Sequence, residues 1–475
     1  MRAVKTIAEI AAGLQGYDPQ ALSAADVSRF LSRLVEPVRD TVELALFDAL
    51  GRVLAADVVS PFDVPPHDNS AMDGYAFDGA QLGTGEALSL KVAGTALAGK
   101  AWQGSVVPGQ CVKIMTGAIM PAGLDTVVPQ EFVSASADTI SIPPKLLQPG
   151  DNRRLRGEDL MQGRAALLKG ELLTPARLGL AASLGLKTVS TWRPLRVAYF
   201  STGDEILSLG EAPREGAVYD SNRYTVFGML RRLGCEVIDM GVVRDDPALL
   251  EAAFMDAAAR ADAIITSGGV SVGEADYTKA MMKKLGDVAF WKVAMRPGRP
   301  MAVGRILQDK STSSPLSAAA TSSQIDSTSS GGSRFAAGPP QGETAPPGGS
   351  KPHGVGSVGA ILFGLPGNPV AVMVTFLAFV RPALLQMMGS TAPAPPLLKA
   401  RSQEAIRKKA GRTEYQRGTV STAADGSLQV KATGNQGSGV LSSMAEANGL
   451  IVLHHGQGNI APGEDVDVMM FDGTI

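Results

Sequence analysis

The sequence predicts a multidomain α/β protein. Its expected parts are a doubly wound parallel sheet, an inserted β-domain, a discontinuous N-terminal helical and extended domain, and a small C-terminal β-domain. Three observations predict this. The 475 residues are too many for a single hydrophobic core. From Leu195 to about Met388, strand-like and helix-like runs alternate, the pattern of βαβ units. Between about 62 and 150, short apolar runs are punctuated by Gly and Pro, as in a compact β-domain, with helical pattern on either side.

Taken in order, residues 20–60 read as helix and then extended chain, ending where Pro61, Pro65 and Pro66 break it. Helical pattern returns over 150–193, notably in Pro175 to Leu184, so 20–60 and 150–193 form one domain with 61–149 inserted. In the α/β domain, 194–390, strands are expected at Leu195–Phe200, Glu236–Val243 and Ala263–Ile265, and helices at Arg223–Leu233 and Ala248–Ala259. Residues 308–359 are Ser, Thr, Gly, Pro and Ala with almost no large apolar side chain, a composition that predicts a disordered insertion. It separates Met301–Leu307 from Ala360–Phe363, two runs expected to form a hairpin; loop closure grows costlier only slowly with length. From 394 to 475, period-two runs such as Val466 to Phe471 indicate the last β-domain.

Composition narrows the function. With 44 basic and 46 acidic side chains there is no polycationic face, so nucleic acid is not an expected partner. Two cysteines and four histidines can build neither a zinc cluster nor a disulfide framework, which suits a reducing, cytoplasmic setting. The uncharged run Val370–Val380 is stopped by Arg381-Pro382 well short of a bilayer span, so a buried helix is expected and no membrane association.

In a doubly wound sheet, ligands bind beyond the carboxyl ends of the strands. Four polar segments fall there. Ser201-Thr-Gly-Asp-Glu205 follows the first strand and Arg244-Asp-Asp246 the second. The glycine loop Thr266 to Lys279 follows the third, and Leu365-Pro-Gly-Asn-Pro369 another. The glycine loop, with Ser267, Gly268 and Gly269, presents backbone N–H groups and a helix start to an anion. Asp246 precedes Pro247 and is mainly a helix cap, which leaves Asp245 as the functional candidate; capping also accounts for at least one of Asp220, Ser221 and Asn222. Glu205, Asp245 and Asp276 on one rim would repel one another unless a cation compensates. Lys279, Lys292, Arg296 and Arg299 flank the same rim, so a polyanionic substrate with a divalent metal fits the set. No P-loop and no dinucleotide fingerprint is present. A second polar cluster, Asp68-Asn-Ser-Ala-Met-Asp-Gly-Tyr75, lies outside the sheet, with Met115-Thr-Gly117 and Arg153 to Asp159.

These segments, in this order, resemble the molybdopterin molybdotransferase (molybdenum insertase) family, which includes the C-terminal domain of gephyrin. The matching stretches are Asp68–Tyr75, Ile114–Ala118, Arg156–Asp159, Ser201–Glu205, Arg244–Pro247, Thr266–Lys279 and Gly364–Pro369. The resemblance implies an elongated homodimer that inserts molybdate into adenylated molybdopterin with magnesium, releasing AMP, the last step of molybdenum cofactor biosynthesis. It also implies contacts with other cofactor-biosynthesis or molybdoenzyme-maturation proteins. By position, Asp73, Thr116, Glu205, Asp245 and Asp276 are the implied catalytic residues, with Glu205, Asp245 and Asp276 holding the metal. Lys292 and Arg296 match molybdate-handling positions, Pro366 and Pro369 the substrate loop, and Arg417 and Ser438 the C-terminal side of the cleft. The chain has Arg296 where the family's bacterial pattern has lysine, a planar fork in place of a point charge.

Overall fold

The computed structural model describes residues 5–83, 85–270, 277–307 and 359–471. Asp276 and all but the last residue of the expected insertion 308–359 therefore lie outside the described residues. The chain divides into two compact units. One comprises the segment up to Val35, Leu195–Arg381 and Pro395 onward; the other comprises Glu36–Pro194 and Pro382–Ala394.

The first unit is organised by a six-stranded sheet. Its elements are β1 (Arg196–Thr202), α1 (Ser221–Arg232), β2 (Glu236–Val243), α2 (Pro247–Arg260), β3 (Ala263–Ser267), α3 (Tyr277–Leu285), β4 (Gly286–Lys292), β5 (Pro300–Ile306), β6 (Ala360–Leu365) and α4 (Pro369–Thr375). The strand order is β2-β1-β3-β6-β5-β4. β2, β1, β3 and β6 are parallel, as expected, but β5 runs antiparallel to both β6 and the edge strand β4, so the sheet is mixed. β5 and β6 pair antiparallel, as the hairpin expected around the insertion requires. α1 and α4 contact one another, as do α2 and α3, which gives the sheet two helical layers.

The central strands are buried on both faces, which explains their continuous apolar runs. Ala198 and Phe200 of β1 and Ile264 of β3 pack with Phe254, Ala257 and Ala258 of α2. The rings of Phe200 and Phe254 meet edge to face at 5.1 Å. α2 starts as the sequence indicates, with Asp246 accepting from the N–H groups of Ala248 and Leu249 and Pro247 in the first turn. One helical run, Pro369–Met387, is long and apolar enough to cross a membrane, but 67 % of its apolar window is buried inside the fold.

The helix Ala24–Leu34 groups with this sheet and not with the domain expected over 20–60. Backbone hydrogen bonds hold the segment before it: Lys292 N–H donates to Pro19 and Ala294 N–H to Leu22. Phe30 then packs edge to face on Trp291, at 4.9 Å.

The C-terminal strands are β7 (Leu398–Ser402), β8 (Thr413–Thr422), β9 (Leu428–Ala432), β10 (Gly449–Leu453) and β11 (Asp465–Met470). They run β8-β9-β7-β11-β10 and close through pairing of β8 with β10, a five-stranded barrel without free edges. Val430, Ile451, Val466 and Val468 fill it. The short strand Met295–Arg296 pairs in parallel with Thr413–Glu414 and joins the sheet to the barrel.

In the second unit, Thr41–Ala45 pairs with Thr188–Trp192, and Val58–Val59 with Ala165–Leu167. Between these partners in the sequence stands a six-stranded sheet built from segments between Gly74 and Ile142. The inserted β-domain of the expected fold class is thus present.

Candidate functional site

β1 and β3 end side by side, with Ser201 opposite Ser267, and their exits form the floor of a cavity of about 1060 Å³. After β1 the chain turns at Gly203, whose φ of +140° leaves its α-carbon facing the Glu205 carboxylate. A β-carbon there would sit 2.5 Å from Glu205 Oε2, so only glycine lets the acid fold back against the turn. After β3, Gly268 and Gly269 have φ of +91° and +61°. A β-carbon on Gly268 would lie 2.4 Å from the Thr202 carbonyl oxygen. Space and backbone angle both demand glycine, and the same conformation leaves the loop backbone bare toward the cavity.

The cavity gathers much of what the sequence nominates. Glu205, Asp245, Ser267, Gly268, Gly269, Arg296, Pro366, Pro369 and Ser438 all line it. Glu205 and Arg296 are exposed and Asp245 half-buried. Ser267 is buried, and its hydroxyl is 2.7 Å from Tyr199 Oη and 3.1 Å from Ser201 Oγ, a closed hydroxyl cluster beneath the floor. Burial, and then the negative charge of Asp220, push the Tyr199 phenol up from its ordinary value, so it stays protonated.

Other expectations fall elsewhere. Lys279 and Lys292 do not line the cavity; Lys292 ends β4 and Lys279 lies in the first turn of α3. Arg417, expected among the substrate-binding residues, does not line the cavity. It is 1 % exposed, and its guanidinium donates to Ser443 Oγ and to the carbonyls of Asn435, Gln436 and Gly437. Its donors are spent on that serine and on backbone oxygens, so Arg417 shapes the loop 436–439, and that loop forms the cavity wall. Burial, and then the charge of Arg296, lower its guanidinium from the ordinary value. The loop is tied to α4, since Val370 N–H donates to the Ser438 carbonyl.

In the second unit Asp73 and Thr116 form their own pair. Asp73 Oδ1 accepts from the Thr116 N–H at 2.6 Å and from its hydroxyl at 2.8 Å. These two bonds, the N–H first, hold the Asp73 carboxyl below the ordinary carboxylate value. Asp68 accepts from the Arg156 N–H at 2.8 Å and stands 3.7 Å from Arg153, so much of the Asp68–Tyr75 motif maintains its own turn.

The walls also contain residues that sequence reasoning passed over. Gln436 is locked by mutual backbone bonds with Arg417, and Arg412 is paired with buried Glu414. Thr202, Asp220 and Asn222 line the cavity too; the sequence places Thr202 in the polar segment after the first strand and explains at least one of Asp220, Ser221 and Asn222 as a helix cap. A signal was available for Asp220 and Asn222: one cap needs one oxygen, and this helix opens with two carbonyl-bearing side chains.

Among the described residues no group of three or more His, Cys, Asp or Glu side chains could hold a metal. Glu205 and Asp245 nevertheless face one cavity, and magnesium commonly takes only one or two carboxylates, completing its shell with water and substrate phosphate. The donor set therefore fits that ion in the presence of an anionic substrate.

Three family models match consecutive parts of the chain: the MoeA N-terminal region (domains I and II) over 22–185, a probable molybdopterin binding domain over 198–386, and the MoeA C-terminal region (domain IV) over 399–471. The molybdopterin molybdenumtransferase of Haemophilus influenzae is 37 % identical, covering 94 % of this chain and 97 % of its own. That of Nostoc is 33 % identical, covering 96 % and 95 %. The crystal structure of a molybdopterin biosynthesis moeA protein from Pyrococcus horikoshii superposes with a TM-score of 0.72 over 95 % of this chain and 100 % of that one, at 24 % identity. A second structure of that protein gives 0.66 over 95 % and 99 %, at 26 % identity. The chain belongs to the molybdopterin molybdenumtransferase family.

Proposed function

We propose that this chain inserts molybdate into adenylated molybdopterin and releases AMP, at the cavity beyond β1 and β3. The observation that carries the reading is the mixture of charges on one set of walls: Glu205 and Asp245 face the same space as Arg296 and Arg299. A cavity for a neutral ligand gains nothing from such a set, whereas two anions and a cation need all of it.

Each group has a task. Arg296 and Arg299 offset the charge of molybdate and of the phosphoanhydride as they approach one another. In the Gly268-Gly269 turn, where the Gly268 N–H donates to the Leu365 carbonyl, the Gly269 N–H is the donor assigned to phosphate oxygens. Glu205 and Asp245 would hold magnesium, which when bound neutralises the anhydride and supports loss of AMP. Replacing molybdate oxygens by the two dithiolene sulfurs releases water, so protons must be delivered to the departing oxygens, and carboxylates at the wall can carry them. Asp73, with its carboxyl held ionised by Thr116, is assigned a supporting acidic role by resemblance.

The homodimer belongs to this reading as well. Phe47, Leu50, Val59, Met161 and Leu168 of the second unit are all exposed. Exposed large apolar side chains of this kind suit a contact between copies. A cytoplasmic setting and hand-over to maturation proteins complete the proposal.

The test is molybdate-dependent AMP release from adenylated molybdopterin by the purified full-length chain with magnesium. Release that requires molybdate is expected. Consumption of ATP without it would instead favour the adenylylation step, and no turnover with intact substrate binding would favour a non-catalytic binding role.

A further inference from the structure

The cavity contains buried acceptors that no group among the described residues serves. α1 opens at Asp220, whose side chain accepts from the Arg223 N–H at 3.1 Å through Oδ1; Oδ2 has no hydrogen-bond partner among the described residues. Asn222 donates through Nδ2 to the Gly367 carbonyl at 2.7 Å, which fixes its amide orientation, and Oδ1 has no partner there either. Thr202, the last residue of β1, has an Oγ1 without a hydrogen-bond partner among the described residues. The three residues are 4 %, 8 % and 3 % exposed, and all three line the cavity. Buried polar groups are ordinarily satisfied, and a cap alone needs only Asp220 Oδ1.

The chemistry of the trio is one-sided. A carboxylate oxygen and an amide oxygen can only accept, and the hydroxyl can do either. An anionic group of the substrate is repelled by Asp220 and is matched instead by Arg296, Arg299 and the glycine turn. We propose that Asp220, Asn222 and Thr202 form a recognition subsite for a neutral, hydrogen-bond-donating edge of the substrate, which fixes its orientation while the charged centre reacts elsewhere in the cavity. The subsite rests on the reading above for the substrate's identity. Adenylated molybdopterin offers such donors in two places: the amino-pyrimidinone edge of the pterin and the hydroxyls of the adenosine ribose.

The experiment separates these sources. Asp220→Asn keeps the cap, because its amide oxygen still accepts from Arg223, but turns the unpartnered acceptor into an NH₂ donor. Binding of AMP, of 6-hydroxymethylpterin and of inorganic pyrophosphate is measured by calorimetry on the full-length chain and this variant, with melting temperatures as a folding control. A loss of about tenfold or more for AMP or for the pterin, with pyrophosphate unchanged, supports the subsite and names the edge. Unchanged binding of both overturns it, as does an equal loss of all three. A ligand-side arm needs no mutation: on the unaltered protein, 2′,3′-dideoxy-AMP is compared with AMP, and the N2,N2-dimethyl pterin with its parent. Equal affinity within both pairs overturns the subsite, whatever the variant does. Molybdate-dependent AMP release is assayed in parallel. If it fails in the unaltered protein while Asp220→Asn still weakens AMP, the function is wrong and the subsite stands; if it succeeds while every affinity is unmoved, the reverse holds.

Discussion

Arg296 and Arg417 were nominated by the same kind of match, yet they occupy opposite situations. Arg296 sits exposed on the cavity wall. Arg417 is buried one layer behind, with its donors committed to three backbone carbonyls and a serine. The first can meet a ligand; the second builds the wall that the ligand meets. Residue type and motif register are alike in the two, and only the destination of the donors separates ligand from scaffold. The same contrast divides the acids. Asp73 is satisfied by Thr116, whereas Asp220 retains an unpartnered oxygen.

The largest effect expected is on chemistry without loss of fold. Glu205→Gln keeps the side chain's size and removes its charge at an exposed position. Steady-state AMP release should fall by roughly 10²–10³ with the melting temperature unmoved. Retained turnover would take Glu205 out of the site. Arg417→Ala should do the opposite and act on stability. It removes the bonds that a buried guanidinium makes to Ser443 and to three backbone carbonyls, and the packing of its long side chain, so urea unfolding should show a loss of about 3 kcal/mol or more. A stable Arg417→Ala protein with weakened molybdate binding would restore Arg417 as a ligand and erase the contrast. Arg296→Lys exchanges a fork for a point charge at the wall. The expectation is a change in molybdate affinity of about tenfold or less, read by equilibrium dialysis, and no change in stability.

The smallest effect concerns Asp73. Its carboxyl lies below the ordinary value in the folded chain, so the pair contributes stability at pH above the unfolded value of about 3.9, and that contribution is lost as pH falls through the depressed one. Thr116→Val removes the hydroxyl and keeps the N–H, the larger cause. The Asp73 titration, followed by NMR, should move only part of the way toward the ordinary value, and the onset of acid destabilisation should rise slightly. An unmoved titration would mean the hydroxyl contributes nothing.

Much of this was legible beforehand because it is local. The centres of the runs at Arg196–Thr202 and Ala263–Ser267 are mainly apolar because both faces are covered, and Asp246-Pro247 announces a helix start. The glycines at 268 and 269 betray a turn that only glycine can make. What escaped depends on long-range partners. Nothing near Arg417 in the sequence says that Asn435, Gln436 and Gly437 return to cover it. Nothing in Ala24–Leu34 reveals that it packs beside Trp291. The antiparallel edge follows from the β5–β6 hairpin, which the runs flanking 308–359 suggested without stating the direction of the neighbouring strand β4.

The central claim is that acids from separate crossovers act together on one cavity. A double-mutant cycle of Glu205→Gln and Asp245→Asn, read as molybdate-dependent AMP release at saturating magnesium, tests it directly. If the two carboxylates serve one ion, the double variant should be little slower than the slower single variant. Losses that simply multiply would show two independent groups and contradict the account.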